Sequence, residues 1–170
     1  MTRLFVTADL HGSLNTWMTL KALMKPSDSL VIAGDLFDTR YGNYSHPDFQ
    51  PDYIRQEIRN ISQTVYYVYG NCDDPLFFPG HGSTLKFNAF EKTFFLHHGH
   101  GSNPEPEEAD IIISGHTHRW LLERKGSQIF INPGTLTNPR NSTHTYGIID
   151  TFQARILNLR TGSCLDSINL

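Results

Sequence analysis

The chain has 170 residues, of which 38% are hydrophobic and 18% charged, enough for one folded domain with a buried core. A formal net charge of −3 offers no basic surface on which to build binding to a nucleic-acid polymer. No apolar run approaches the roughly 20 residues that span a bilayer, and Cys72 and Cys164 are too far apart in sequence to suggest a disulfide framework.

The first apolar run, LFVTA, reads as a strand that ends at Asp9 and is too short for a secretory signal, so a cytoplasmic location is expected over a single domain spanning 1–170. Ser13–Lys25 carries Leu14, Trp17, Met18, Leu20 and Leu23/Met24 on one helical stripe and stops at Pro26. LVIAG leads into Asp35, and Asp52–Ile61 is a second, shorter helix. VYYVYG then leads into Asn71. This βαβαβ opening implies parallel strands joined by right-handed crossovers. TFFLH before His98 and DIIISG before His116 repeat the same arrangement of a buried strand followed by a metal-capable side chain. Trp120–Glu123 and Gln128–Ile131 flank a turn at Gly126. Thr143–Asp150, Gln153–Leu159 and Cys164–Ile168 form a meander, expected as a second sheet stacked on the first with helices outside. Two loops, Arg40–Pro51 and Pro79–Ser83, are rich in Gly, Pro, His and aromatic residues and sit where they can shape a pocket.

In open α/β sheets, sites form beyond the C-terminal ends of strands, so these side chains can converge despite their separation. Asp9-x-His11 and Gly34-Asp35 supply carboxylates and an imidazole, and Gly70-Asn71 supplies a neutral carbonyl oxygen. His98-Gly99-His100 and Gly115-His116-Thr117-His118 supply further imidazoles. A mixed nitrogen and oxygen set suits Mn, Fe, Co, Ni or Zn better than Ca or Mg alone. Two divalent ions set against Asp9, Asp35 and one bridging hydroxide leave a net positive charge, which favours an anionic phosphate. A carboxylate at position 71 would cancel that surplus, whereas Asn71 preserves it.

Taken together, Asp9-Leu10-His11, Gly34-Asp35, Gly70-Asn71-Cys72-Asp73, His98-Gly99-His100, Gly115-His116-Thr117-His118 and Asn132-Pro133-Gly134 resemble the calcineurin-like metallophosphoesterases, closest to their small, cap-less bacterial and archaeal phosphodiesterase branch. The resemblance runs from residue 1 to about 150. It implies an α/β fold, a four-layer α/β/β/α sandwich of two mixed sheets flanked by helices. It also implies one metal on Asp9, His11, Asp35 and His118, and a second on Asp35, Asn71, His98 and His116. The implied activity is hydrolysis of a small phosphodiester by a hydroxide bridging two divalent ions, manganese first among them. Larger phosphatases of the superfamily have His directly after the motif Asn, where this chain has Cys72. A neutral thiol is a poorer proton donor to a leaving oxygen than an imidazolium, and the small phosphodiesterase branch shares the cysteine.

The candidate catalytic residues are Asp35, Asn71 and His100, and the candidate substrate contacts are Asn71, Cys72 and Arg40. His100 stands evenly between contacting a phosphate oxygen and supporting the ligands. Arg40 and Arg119 offer a guanidinium fork for phosphate or are solvated surface residues. Asp38 and Asp73 are expected to brace neighbouring backbone. His97 is expected to pack away from His98, and His46, His81 and His144 to be loop or surface histidines. Tyr66, Tyr67 and Tyr69 read as strand packing. Competing readings are a phosphomonoesterase, including a protein phosphatase, or a dinucleoside polyphosphate hydrolase on the same site. From another class comes a non-catalytic scaffold resembling the retromer subunit of this fold, which loses metal ligands that this chain keeps. A homo-oligomer is left open.

Overall fold

A computed structural model of the chain describes residues 2–101 and 108–170. β1 (Leu4–Thr7) pairs in parallel with β2 (Ser29–Ile32), which pairs in parallel with β3 (Val65–Tyr67). The crossovers between them are α1 (Leu14–Leu23) and α2 (Pro51–Asn60). Ser13 caps α1 by accepting the Thr16 N–H at 3.2 Å, satisfying one of the orphan donors of the first turn. Trp17 and Leu20 bury the inner stripe of α1, whereas Met18, expected on that stripe, is 47% exposed. Pro51 opens α2, where its missing N–H costs no hydrogen bond, and Ile54 and Ile58 bury its inner face one turn apart.

A second sheet follows: β4 (Thr84–Ala89), β5 (Lys92–His97), β6 (Ile111–Ile113), β7 (Trp120–Lys125) and β8 (Gln128–Pro133), in the order β4-β5-β6-β8-β7. β5, β6 and β8 are parallel, and β4 and β7 close the two edges antiparallel. The turn between β7 and β8 is tighter than expected, with only Gly126 and Ser127 outside the strands.

The C-terminal meander of β9 (Thr145–Ile149), β10 (Gln153–Asn158) and β11 (Cys164–Asn169) does not form the second sheet. It extends the first, in the order β11-β10-β9-β1-β2-β3, through an antiparallel pairing of Val6 with Gly147. Strand patterning declares a buried face but not the partner, and here the partner lies more than a hundred residues upstream. The result is an α/β fold of two mixed sheets flanked by helices, and both described helices cover the outer face of the first sheet.

Alternation along β1 assigns the two cores. Val6 joins Val31, Leu96, Ile113, Ile131 and Ile156 between the sheets. Phe5 joins Ile32, Trp17, Leu20, Ile54 and Tyr67 between the first sheet and the helices. Each large side chain buried in this way contributes about 1.5–3 kcal/mol, so the strands that carry the candidate ligands are anchored on both faces. The outlets of β1, β2, β5 and β6 meet at one edge of the sandwich. There, the His98 ring reaches from the second sheet to the Ala33 carbonyl of the first at 2.7 Å.

Candidate metal centre

Left-handed backbone marks this edge. Asp9 (φ 55), His11 (φ 50), Asp35 (φ 51), Asp38 (φ 52), His116 (φ 66) and His118 (φ 56) all have positive φ. Each such residue costs of order 1 kcal/mol or more, so six at one place need a surrounding structure that enforces them. The Asp9 N–H donates to Gly34 O at 3.1 Å, the His11 N–H to Asp35 O at 2.9 Å and the Gly12 N–H to Leu36 O at 2.9 Å. The hydroxyls of Thr135 and Thr137 both donate to the Asp9 carbonyl, at 2.9 and 2.7 Å. Two glycines are forced by close approach: a Cβ at Gly70 would lie 2.0 Å from Asp35 Oδ1, and one at Gly34 2.5 Å from His98 Nδ1.

These loops bring seven side chains of the sequence reading to one edge, six of them by close atom-to-atom contact. Asp9 Oδ1 is buried without a hydrogen-bond partner, 3.4 Å from His118 Nε2 and 4.0 Å from both His11 Nε2 and His98 Nε2. Asp35 Oδ2 lies 3.2 Å from His98 Nε2, which lies 3.2 Å from Asn71 Oδ1. His116 stands beside His98, with ring centroids 5.1 Å apart, and its N–H donates to Asp9 Oδ2 at 3.1 Å. Its ring nitrogens belong to none of the three compact donor groups among the described residues, which are Asp9–His11–His118, Asp9–Asp35–His98 and His11–Asp38–Cys72.

Hydrogen bonds at the far side of three rings fix what they present inward. His98 Nδ1 donates to Ala33 O at 2.7 Å, His118 Nδ1 to Asn138 O at 3.0 Å and His11 Nδ1 to Asp38 Oδ2 at 3.2 Å. Each ring is thereby left in the tautomer whose Nε2 lone pair faces the centre. His11 Nε2 and His118 Nε2 then face each other at 3.3 Å, lone pair against lone pair. Burial opposes a charged His98, but the Asp35 hydrogen bond and charge outweigh it and raise its pKa. The adjacent Asp9 carboxylate raises His118 against burial. Burial alone would raise Asp35, yet His98 and the Cys72 N–H hold it down at about 2. A partnerless buried carboxylate oxygen, converging imidazole lone pairs and a neutral amide oxygen fit divalent transition ions.

Asp38 is the residue that sequence reasoning misplaced. It does not brace backbone with its carboxylate but holds the His11 ring, and the only local signal is its position three residues after Asp35. Asp73 does brace backbone, accepting the N–H groups of Leu36, Phe37 and Gly70 at 3.3, 2.9 and 3.0 Å. Asn138 also went unnoticed, because it acts through its carbonyl. Asn71 Nδ2 points at Cys72 Sγ at 3.2 Å, turning the amide oxygen toward His98. The Cys72 thiol is pushed well up, first by burial and then by the nearby Asp35, so it stays neutral. Arg40 reaches the Asn71 carbonyl at 3.5 Å, at the rim. His100 sits 5.3 Å from the His98 ring, and burial and the charge of His98 lower its pKa. His97 is buried and stacks on Phe95 on the opposite face. His81 stacks on Phe78, His144 Nε2 donates to Thr137 O at 3.1 Å, and His46 is exposed.

A family model, the calcineurin-like phosphoesterase superfamily domain, matches residues 2–154. The phosphodiesterase YfcE of Escherichia coli strain K12 is 27% identical over 180 residues, covering 99% of this chain and 98% of that protein. The solved structure of YfcE, described as a phosphoesterase from E. coli, superposes with a TM-score of 0.85 at 25% identity over 98% of both chains. A Vps29 of Entamoeba histolytica, solved in complex with zinc, shares the fold at a TM-score of 0.71 and 19% identity over 98% of both chains.

Proposed function

The chain belongs to the calcineurin-like phosphoesterase superfamily, and from that premise we propose that it is a metal-dependent phosphodiesterase acting on a small phosphodiester. The observation that carries this reading is Asp9 Oδ1, a buried, partnerless carboxylate oxygen ringed by three imidazole nitrogens that are each oriented from behind. Asp9, His11, Asp35 and His118 would hold one divalent ion, and Asp35, Asn71, His98 and His116 a second, with manganese ahead of Fe, Co, Ni or Zn for this donor set. Bound there, two such ions supply an acidified water and the positive charge that stabilises an in-line displacement at phosphorus.

The chain's own residues decide which esters suit the site. Asp35 pairs with His98 and would be the carboxylate shared by both ions. Asn71 contributes oxygen without charge, so the centre keeps a surplus that attracts a phosphate anion. Arg40 at the rim and His100 beside His98 flank the position that a non-bridging phosphate oxygen would take. Cys72, held neutral, offers little as a proton donor, so departing groups that need protonation are poor substrates. A monoester dianion with an alkyl leaving group therefore fits less well than a diester. A net charge of −3 gives no support for a nucleic-acid polymer, so a small molecule is the substrate class inferred.

The test is turnover of an aryl phosphodiester and its matching monoester by protein loaded with Mn²⁺. Diester turnover should be faster, and faster monoester turnover would overturn the assignment. Metal analysis of the same preparation should give close to two equivalents. A protein that takes up no stoichiometric Mn²⁺ or Zn²⁺ would point instead to a scaffold.

A further inference from the structure

The far part of the loop after β2, residues 41–49, supplies none of the proposed metal ligands, yet it is built against the centre. Residues 40–49 fold back over the turn between β1 and α1, and Phe49 locks them there. A Cβ on Gly42 would lie 2.0 Å from Phe49 Cζ, and one on Gly12 2.5 Å from Phe49 Cε2. Backbone bonds complete the clasp: Gly42 N–H to Asp38 O, Leu14 N–H to Asp48 O and Gln50 N–H to Gly12 O, each at 2.8 Å. The Asp48 carboxylate is occupied by Ser13 Oγ at 2.6 Å and the Asn15 N–H at 2.8 Å. The loop is thus preorganised, so a ligand resting on it spends little of its binding energy on ordering it.

Between this loop and Asn138 runs an open cleft of about 260 Å³, beginning at His11 and Asp38 and passing Tyr41, Asn43 and His46. A wider cleft of about 500 Å³ continues from His11 and His46 past Leu136. Among the described residues lining the two there is no lysine or arginine, and both contain Asp48. Of the cationic side chains near the centre, Arg40 reaches toward Asn71 and Arg140 acts on His118, and neither lines the cleft. A second phosphate in the cleft would meet carboxylates with no lysine or arginine in its lining, which is unfavourable at short range. An uncharged flat group meets better partners. Tyr41, on the cleft wall, is 73% exposed, and the Phe49 ring lines the floor beside it, braced from behind by Tyr44 at 4.9 Å. His46 Nδ1 accepts the Asp48 N–H at 3.3 Å, which leaves its other ring nitrogen protonated as a donor.

We propose that this cleft seats an uncharged aromatic ester group of the substrate, a nucleoside or an aryl group, while the phosphate lies at the metal centre. The proposal rests on the phosphodiesterase reading above and adds a direction to the substrate: ester group toward His11 and His46, free oxygens toward Arg40.

Monoester binding tests it without depending on turnover. Calorimetry on the Mn²⁺-loaded protein would compare methyl phosphate, phenyl phosphate, thymidine 5′-monophosphate and methyl diphosphate. The aromatic ligands should bind about tenfold tighter than methyl phosphate, the order expected of one stacking contact. Tyr41→Ala and His46→Ala, both at exposed positions that the fold tolerates, should each cut that ratio to within about twofold. In the metal-free protein, NMR signals of residues 41–46 should shift with phenyl phosphate and not with methyl phosphate. Preference for phenyl phosphate alone would identify an aryl pocket, and preference for both a pocket open to nucleosides. Equal binding of methyl and phenyl phosphate by the unmodified protein, or tightest binding of methyl diphosphate, would overturn the cleft assignment and leave the phosphodiesterase reading intact. Failure of every phosphate ligand to bind, together with no diester turnover, would overturn both.

Discussion

The metal centre has two halves of similar composition and different physical character. Asp9, Asp35 and His98 are 0%, 2% and 1% exposed, lie at the outlets of β1, β2 and β5, and are held by one another and by backbone. His11, Asp38, Cys72 and His118 are half-buried, and His116 is exposed. All five stand on the loops beyond the strands. In the buried half a charge has no water to fall back on, so its partner is part of the fold. In the open half water can replace a lost partner, so the same atoms can be tuned without unfolding anything. Catalysis and stability are therefore coupled on one side of the site and separable on the other.

Asp35→Asn strikes the coupling point and should have the largest effect. The change is isosteric, and the Cys72 N–H at 2.8 Å retains an oxygen to bond. What goes is the charge that both proposed ions would share. Diester turnover should fall by about a thousandfold or more, about 4 kcal/mol of barrier, with at least one equivalent of metal lost by elemental analysis. Near-normal turnover would mean that Asp35 is not shared.

His98→Ala separates the two halves by stability. It leaves Asp35 buried opposite a void and removes the ring that ties the second sheet to Ala33. Breaking a buried pair on one side costs about 3 kcal/mol, which denaturant unfolding of the metal-free protein would read as a lowered midpoint. His118→Ala, in the open half, should move that midpoint by less than half as much while removing metal binding just as surely. Equal losses from the two substitutions would erase the distinction between the halves.

The ligands of both halves were legible in the sequence, and what orients them in the open half was not. Short apolar runs closing on Asp9, Asp35, Asn71 and His98 declare their strands because burial on both faces demands continuous apolar sequence, and the glycines at 34 and 70 mark where backbone and ligand crowd. The open half hides its logic in tertiary contacts. Asp38 orients a ring twenty-seven residues upstream, and Asn138 contributes only a carbonyl, which no side-chain pattern encodes. The destination of the β9–β11 meander was hidden for a related reason. Gly147 faces Val6, where an added Cβ would lie 3.1 Å from the valine Cβ. That fit is legible only once the two strands are side by side.

Asp38→Ala tests whether the open half can be tuned. Removing the carboxylate frees the His11 ring to rotate and to take the other tautomer, without exposing any buried charge. Loss of such an orienting partner costs about 10- to 100-fold in metal affinity, measurable by competition with a chelator, while the thermal midpoint of the metal-free protein stays within about 2 °C. Unchanged affinity would reduce the 3.2 Å contact between Asp38 and His11 to packing.

The smallest effect is expected at His100, which lies next to both halves and belongs to neither. Its ring is 5.3 Å from that of His98 and 6.2 Å from that of His116. It joins none of the compact donor groups among the described residues, and its Nδ1 is buried without a partner. Burial and the neighbouring His98 charge lower its pKa, so near neutral pH it is an uncharged ring able to donate one hydrogen bond to a phosphate oxygen. One such bond, made more strongly as charge builds in the transition state, is worth about tenfold in rate. His100→Ala should therefore lower kcat by about tenfold with two metal equivalents retained, and His100→Gln should recover part of the loss because its amide can donate to the same oxygen. Loss of one metal equivalent in His100→Ala would instead make His100 a ligand in place of His98. The boundary between the halves would then have to move outward by one turn of the β5 outlet.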